Sequence, residues 1–515
     1  MKDSAMQRFR IRCTRKHIVL VAIVCLAFTG LVMKTHLVQR VHCVGVLGDR
    51  YISYVKETEI VFPTETELMG YDYNTLGCLY EMYTRTLQYH CRRVRRFGEI
   101  PRRGWYLCLD FLKTSPINCT IVSANPAFDE RSFVKHIQKY CDANYKILNN
   151  IDFGKTTLIE EIDVVTFSVT KAGDFDKLKK TLDTYDNNVR QLLLEIRPWD
   201  RSLSEVRNLL SSLEDLSRRD FKLVWFDIPY NCVPFFNNRE SSCISLSYVR
   251  VNSKLGQFLV KTDTRSLVLP SPEIWMEFSR IEAVRSLYHE YLSTVQFHCK
   301  HVVRMGKVSD GGWDVCHDYM FMRSPTSPCI IYSFGIQNDF SFDNDISNTY
   351  GCYVFSFDPS MGVSDHRHSE KVYFYNKGLY NKETVVKRKN TYWHMDSLDG
   401  IRKQLNHVQT PIKILKMDIE HSEWISLKQI IDTGQLRDVE QLLIEFHGNG
   451  DKAKLMILKR LYDIGFRIFW HHKNPYAAFY DDQIARSRAN EISFINVDFL
   501  RQQGTLLGLD ALINN

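Results

Sequence analysis

The chain is 515 residues long, enough for two or three domains with cores of their own. At 44% hydrophobic and 25% charged residues its composition is that of a globular protein, which excludes a wholly disordered or fibrous chain. The formal net charge of +7 is modest for this length and owes much to a basic N-terminal tail, so no nucleic-acid partner is expected.

That tail, residues 1–17, carries Lys2, Arg8, Arg10, Arg12, Arg15 and Lys16. Ile18–Met33 (IVLVAIVCLAFTGLVM) follows without a charge and is closed by Lys34. It is slightly short for the roughly 17–25 residues of a membrane span, and snorkelling flanks would extend it. Basic residues ahead of an apolar segment favour a cytoplasmic N-terminus. The sequence predicts a signal-anchor at 18–33, type II topology, and a chain facing the lumen of the Golgi or ER. Cleavage of the segment would instead give a secreted protein. Twelve of the 14 cysteines lie beyond the segment, with no C-x-x-C pair, which suits disulfides in an oxidising compartment better than a zinc site. Asn118-Cys119-Thr120 fits the N-glycosylation pattern.

Self-comparison organises the remainder. Thr86–Asp110 matches Thr294–Asp318 at a constant offset of 208, pairing His90 with His298, Cys91 with Cys299, Trp105 with Trp313 and Cys108 with Cys316. Arg190–Arg197 matches Val439–His447 at an offset of 250, so that Glu195 meets Glu445. Phe221–Phe226 matches Phe466–His471, and Cys243–Val251 matches Glu491–Phe499. The expected organisation is a stem at 41–79, a first copy at 80–252, a linker at 253–287 and a second copy at 288–500. Which cysteines bridge does not follow from the spacing.

In the second copy, strand-like runs alternate with helical spacing. Strands are expected at Ile330–Phe334, Cys352–Phe357, Lys371–Tyr375, Ile412–Met417, Gln441–Phe446, Phe466–Trp470 and Ile492–Val497. Helices are expected at Phe340–Tyr350, Leu398–Val408, Glu423–Ile431 and Lys452–Ile464. This alternation predicts an α/β fold, a mainly parallel sheet with helices on both faces and ligands at the carboxyl ends of its strands. Polar residues fall there: Gly335 in the turn of Cys329–Asp343 (CIIYSFGIQNDFSFD), Asp358 after the second strand, Asp418 and Glu420 after IKILKM, and Glu445 and His447 after QLLIEF. The glycine lets the backbone approach a ligand, and an acidic group about 20 residues on suits ribose hydroxyls. Singly, each aspartate reads as a helix cap.

The segments YSFGIQNDFSFD, YVFSFDPSM, HRHSEKVYFYNKGL, ILKMDIEHSEW, LLIEFH and LYDIGFRIFW resemble the methyltransferase-like 24 group, and LKMDIEHSEW is also similar to the KxDxEGxE segment of FkbM-type sugar methyltransferases. The resemblance implies two tandem Rossmann-like domains of class I S-adenosylmethionine-dependent methyltransferase type behind the membrane anchor, the first copy degenerate. It implies that Ser333, Phe334 and Gly335 form the methionine-side turn of the cofactor site, with Asp339 beside it. Asp358 would hold the ribose, and Asp396 or Ser397 would lie near the adenine. Asp418 and Glu420 would face the transferred methyl and the acceptor. The chain departs from the pattern in keeping a single glycine of GxGxxG, and in carrying His421 where FkbM-type proteins have Gly.

The expected reaction is methyl transfer in the secretory pathway to a glycan or secreted-protein hydroxyl, with Asp418, Glu445, His447 or His421 as base. It needs no metal. His366 and His368 would share one strand face, but no third ligand accompanies them. In the first copy Asn125 stands for Gly335, Ser168 for Asp418 and Thr170 for Glu420, so that copy is expected to be non-catalytic. The competing readings are a pseudoenzyme that binds partners, and a lumenal glycosyltransferase using Asp343-Asn344-Asp345 as a DxD metal site.

Overall fold

The computed structural model describes residues 62–505, with breaks at 100–102, 113–117, 126–129, 139–140, 148–161, 172, 186–187, 198–201, 229–233, 236–239, 242, 252–268, 270, 308–309, 321–327, 389–390 and 482–483. The expected anchor at Ile18–Met33 lies outside these residues. Among the described residues no helix is long and apolar enough to cross a membrane.

In the first half, after a short helical turn at Glu65–Gly70, comes helix α1 (Tyr73–Arg85), capped by Asp72, whose side chain accepts from the Thr75 N–H. A hairpin follows, β1 (Val94–Glu99) with β2 (Arg103–Cys108). Then come β3 (Asn118–Asn125), β4 (Asp142–Ile147), β5 (Ile162–Val169), β6 (Val189–Ile196), β7 (Phe221–Asp227) and β8 (Ile244–Arg250). They form one six-stranded sheet in the order β4-β3-β5-β6-β8-β7, parallel through β6 and antiparallel at β8. Strands β5 and β6 are buried along their whole length, as strands covered on both faces must be, and read as near-continuous apolar runs for that reason.

The second half repeats this plan. Helix α2 (Ile281–Leu292) leads to the hairpin β9 (Val302–Met305) and β10 (Trp313–Cys316). Its main sheet uses β11 (Ile330–Phe334), β12 (Tyr353–Phe357), β13 (His366–Arg367), β14 (Val372–Tyr375), β18 (Ile412–Met417), β19 (Val439–His447), β20 (Phe466–Lys473) and β21 (Ala489–Asn496). The small sheet β15 (Gly378–Leu379), β16 (Thr384–Arg388) and β17 (Thr391–Asp396) falls between β14 and β18. The main order is β13-β14-β12-β11-β18-β19-β21-β20, parallel from β14 to β19, with β21 antiparallel to both of its neighbours. With β13 and β14 removed, it is the order of the first sheet. Helices α3 (Ser341–Tyr350), α4 (Leu398–Gln404), α5 (Glu423–Asp432) and α6 (Lys452–Asp463) connect the parallel strands and bury their apolar faces on the sheet.

Side-chain devices recur as well. Each hairpin is tied to its sheet by a buried glutamine: Gln191 Oε1 accepts from the Cys108 N–H and its Nε2 donates to the Cys108 carbonyl, both at 3.0 Å, and Gln441 does the same to Cys316 at 2.9 and 3.0 Å. The amide stands in for a missing strand, leaving neither cysteine backbone group unsatisfied in the interior. Ser247 Oγ donates to the Tyr106 carbonyl, and Ser493 Oγ to that of Asp314. Disulfides Cys91–Cys108 and Cys299–Cys316 span 17 residues each, and Cys119–Cys141 and Cys329–Cys352 span 22 and 23. Such bridges fit an oxidising compartment.

The two halves meet through equivalent residues. Trp225 of β7 stacks on Trp470 of β20, ring centroids 3.8 Å apart and planes at 12°. His90 meets His298 at 5.5 Å. Across the seam the Leu87 N–H donates to the Lys300 carbonyl at 2.7 Å, and within each half a matching glutamine covers the edge strand, Gln88 on Leu223 of β7 and Gln296 on Ile468 of β20. Like residues touching like is the signature of an isologous contact. One hydrophobic cluster accordingly runs from Leu79 and Trp225 to Trp313 and Trp470.

Candidate functional site

The carboxyl ends of β11, β12 and β18 converge on one edge of the second sheet, where a cavity of about 170 Å³ opens; Glu445 and His447 of β19 stand behind Asp418 and are not among its lining residues. Phe334, Gly335, Gln337, Phe357 and Asp358 line one side, Gly378, Trp393 and Met395 the second, and Asp418, Ile419, Glu420 and Ser422 the third.

Gly335 leaves β11 at φ +76°, and a Cβ there would stand 1.6 Å from the Asp418 carbonyl oxygen. Two adjacent strand ends approach so closely that only glycine fits. Gln337 and Asn338 continue the turn at φ +46° and +63°, values that non-glycine residues rarely adopt outside functional turns. Asp358 fixes this turn: its Oδ2 accepts from the Gln337 N–H (2.7 Å), and its Oδ1 from the N–H and hydroxyl of Ser360 (2.8 and 2.6 Å). A carboxylate has about four acceptor directions, so it retains capacity toward the cavity it lines.

The other expected cofactor residues are placed differently. Phe334 lines the cavity, whereas neighbouring Ser333 is fully buried on the opposite strand face beside Asp343. Asp339 is not among the lining residues; its Oδ2 pairs with Lys307 at 2.8 Å and its Oδ1 accepts from the Ser341 N–H. Asp396, just ahead of α4, accepts from the Ser397 N–H and from Nε2 of Gln404 at the helix's far end, and the lining is supplied instead by Met395 and Trp393. Strand β17 went unforeseen because it and β16 are largely exposed and lack a buried alternation.

Beyond the glycine, Asp418, Glu445 and His447 place ligand-type atoms within 4.8 Å of one another. His447 Nε2 lies 3.2 Å from Glu445 and 3.5 Å from Glu420, and Nδ1 lies 3.3 Å from Glu423. Burial opposes charge on this imidazole, but Glu423 and Glu445 outweigh it and raise the pKa to about 10, so His447 is a cation at neutral pH. Burial, countered by Lys416 and reinforced by Glu445, pushes the Asp418 carboxyl well above its ordinary range. Burial raises Glu445 too, but its hydrogen bonds and the His447 charge prevail and hold it low. Asp418 and Glu445 therefore share one proton, with the charge on Glu445. Asn474 Nδ2 donates to Glu445 Oε1 at 3.1 Å, and fully buried Glu423 accepts from the His447 N–H at 2.8 Å. Glu423 is the last Glu of the KxDxEGxE-like segment but had no role assigned to it, and Asn474 was not singled out. Glu423 had a signal, standing at the start of α5 three residues after Glu420. Asn474 arrives from a distant strand and had none. Glu420 itself is exposed, and it and His421 sit at φ +47° and +69°.

The DxD reading finds no support in the geometry. Asp343 and Asp345 are buried on α3, where Asp343 accepts from Ser356 Oγ and Asp345 from the Gly306 N–H. His366 and His368 lie at an exposed edge, with His368 stacked on Phe340.

In the first half the matching strand ends carry other groups. Asn125 replaces Gly335, and its Nδ2 donates to the Ser168 carbonyl at 2.6 Å, the counterpart of the Asp418 carbonyl that Gly335 meets. Ser168 Oγ faces Glu195 at 3.5 Å, and Glu195 pairs with Arg197 at 2.6 Å.

Residues 269–496 match the family described as "Methyltransferase domain". The human protein named "Probable methyltransferase-like protein 24" is 26% identical over 207 residues, which is 36% of this chain and 56% of that protein. Its counterpart from Rattus norvegicus is 26% identical over 224 residues, 39% of this chain and 61% of the relative. The chain thus spans little more than half the length of these relatives. Among solved structures, FkbM methyltransferase from Methylobacillus flagellatus is similar at 12% identity and a TM-score of 0.25, covering 73% of this chain and 89% of that one. Phosphoethanolamine N-methyltransferase 2 from Haemonchus contortus is similar at 10% identity and a TM-score of 0.21, covering 67% and 75%.

Proposed function

We propose, for a chain whose residues 269–496 are a methyltransferase domain of the methyltransferase-like 24 group, S-adenosylmethionine-dependent methyl transfer to a hydroxyl of a glycan or secreted protein. The observation that carries this reading is the Gly335 turn: a glycine pressed against the Asp418 carbonyl, with Asp358 holding the next turn residue, opens a cavity at the strand ends. These residues fit the cofactor. Asp358 is an acceptor for ribose hydroxyls, Met395 and Trp393 offer an apolar face for a base, and the backbone at Gly335 leaves room for the amino-acid end. When bound, the cofactor supplies an electrophilic methyl on a sulfonium.

The chain's own part is to position the acceptor and take its proton. Asp418, which lines the cavity and shares one proton with Glu445, offers a carboxyl oxygen to the acceptor hydroxyl and passes the proton load to Glu445. His447 keeps Glu445 ionised, and Glu423 and Asn474 hold the pair in place. Residues 80–252 are read as a non-catalytic copy and 288–500 as the catalytic one, in a protein of the secretory pathway anchored through 18–33. The disulfides agree with that compartment.

Calorimetric titration of the full-length chain with S-adenosylmethionine tests the reading. One site is expected, with Asp358→Asn weakening binding at least tenfold and Gly335→Val abolishing it. Binding unchanged in both variants overturns the assignment.

A further inference from the structure

A second cavity, of about 130 Å³, lies between the two halves. That is roughly ten times the ~10–15 Å³ one water needs on the same measure, so it admits a polyatomic guest. Its walls are unusual in charge. Arg93, Arg95 and Arg96 come from β1 and the residue before it, and Lys473 and Arg486 from the second half, while Glu290 is the acidic residue among the described lining groups. Arg93 is held by Asp110 at 2.9 Å, and Arg486 Nη2 donates to Ser286 Oγ at 2.9 Å.

An independent observation points the same way. His289 on α2 lines this cavity and is 6% exposed, yet neither ring nitrogen has a hydrogen-bond partner among the described residues. A buried imidazole without hydrogen-bond partners is destabilising unless something in the cavity answers it. Burial and then the charges of Lys473, Arg486 and Arg285 hold its pKa down to about 3, so it is neutral and keeps one N–H to donate. Burial, followed by Arg95, Arg96 and Arg486, brings Lys473 down to about 7, a value that a bound anion would reverse.

Position gives the cavity a role. Lys473 ends β20, which runs parallel to β19 with β21 between them. Its backbone therefore lies two strands from Phe446, about 10 Å at ~4.8 Å per strand, with the Lys473 side chain on the sheet face opposite to that of Glu445. The next residue, Asn474, reaches Glu445 directly.

We propose that this cleft binds an oxyanion, a sulfate or phosphate ester carried by the methyl acceptor. Lys473, Arg95, Arg96 and Arg486 supply charge and His289 one directed N–H. The oxyanion site is separate from the strand-end cavity, with which it shares no lining residue, and Asn474 links the two regions through its bond to Glu445. That the oxyanion belongs to the acceptor rests on the methyltransferase reading; oxyanion binding itself does not.

The full-length chain is titrated calorimetrically with inorganic sulfate, inorganic phosphate, glucose 6-sulfate, glucose 6-phosphate and glucose. At least one oxyanion is expected to saturate a single site while glucose does not. Lys473→Met and, separately, Arg486→Gln should each weaken that binding at least tenfold, with S-adenosylmethionine affinity changed less than twofold. The sulfate and phosphate arms identify the ester. Absence of saturable oxyanion binding, or unchanged binding in both variants, overturns the proposal. Oxyanion binding without S-adenosylmethionine binding keeps the anion site and removes its assignment to a methyl acceptor.

Discussion

Two sets of strand ends, one in each half, share a frame and differ in what they can do. In the second half the set is Asp418, Glu445 and His447; in the first it is Ser168, Glu195 and Arg197. The glutamate stays, and in both sets it is paired with a cation two residues on. A serine cannot share a proton with it as an acid does, and an arginine never gives its proton up. The first half therefore keeps the electrostatics that hold the strands together and loses the titrating groups.

The most damaging way to break this contrast is to transplant it. Asp418→Ser combined with His447→Arg should lower S-adenosylhomocysteine release by 10²–10⁴-fold, the range for losing a positioned base, while the melting temperature moves by only a few degrees. Activity near wild type in the double variant would show that the set is structural in both halves.

A second contrast lies deeper. Lys413 on β18 pairs with Glu440 on β19 at 2.7 Å, both buried, and the equivalent positions in the first half are Asp163 and Arg190, at 3.7 Å. The ion pair is kept with its polarity reversed. Glu440→Arg alone should cost about 3–5 kcal/mol in denaturant unfolding, because it strands Lys413 against a like charge. Adding Lys413→Asp should recover most of it. A double variant no better than the single would mean that the two sheets pack differently around this pair.

The pH dependence of the two sets should also differ. His447 has its folded pKa raised from 6.5 to about 10, so its stabilising contribution is full below about pH 6.5 and is lost as pH rises through about 10. Wild-type melting temperature should fall by several degrees across that window, and His447→Arg, which imitates Arg197, should flatten the fall. A parallel loss in both proteins would place the titrating group elsewhere. The smallest effect concerns His421, which holds φ +69°. His421→Gly should gain about 1 kcal/mol by relieving a left-handed residue, read as a small rise in melting temperature.

Much of this architecture was legible because parallel strands buried on both faces leave apolar runs that stand out from the polar turns between them. Ile330–Phe334 and Ile412–Met417 are strands over the limits their sequences suggest, and the residues just past them reach the cavity. What was not legible depends on partners remote in the chain. Asp339 has the sequence position of a cofactor contact, but Lys307, arriving after β9, draws its carboxylate aside. Asp396 is spent locally on its own helix start. Trp393 and Met395 line the cavity from a hairpin whose exposed, charged pattern reads as loop.

The contact of Trp225 with Trp470, and of His90 with His298, has a consequence for how the molecule could change over time. Two identical subunits joined in this manner would carry two equal clefts, and any substitution would be imposed on both. A single chain is free of that constraint. At the positions matching Lys473, Arg93 and Arg95 it has Ile228, His301 and Val303, and only Arg96 finds a cation opposite it, Arg304. Ile228 and Arg304 border a space of about 20 Å³, where the basic cleft has about 130 Å³. The seam holds one roomy, strongly basic recess and, at Ile228 and Arg304, a much smaller space, a difference that no pair of identical subunits related by a twofold axis could encode.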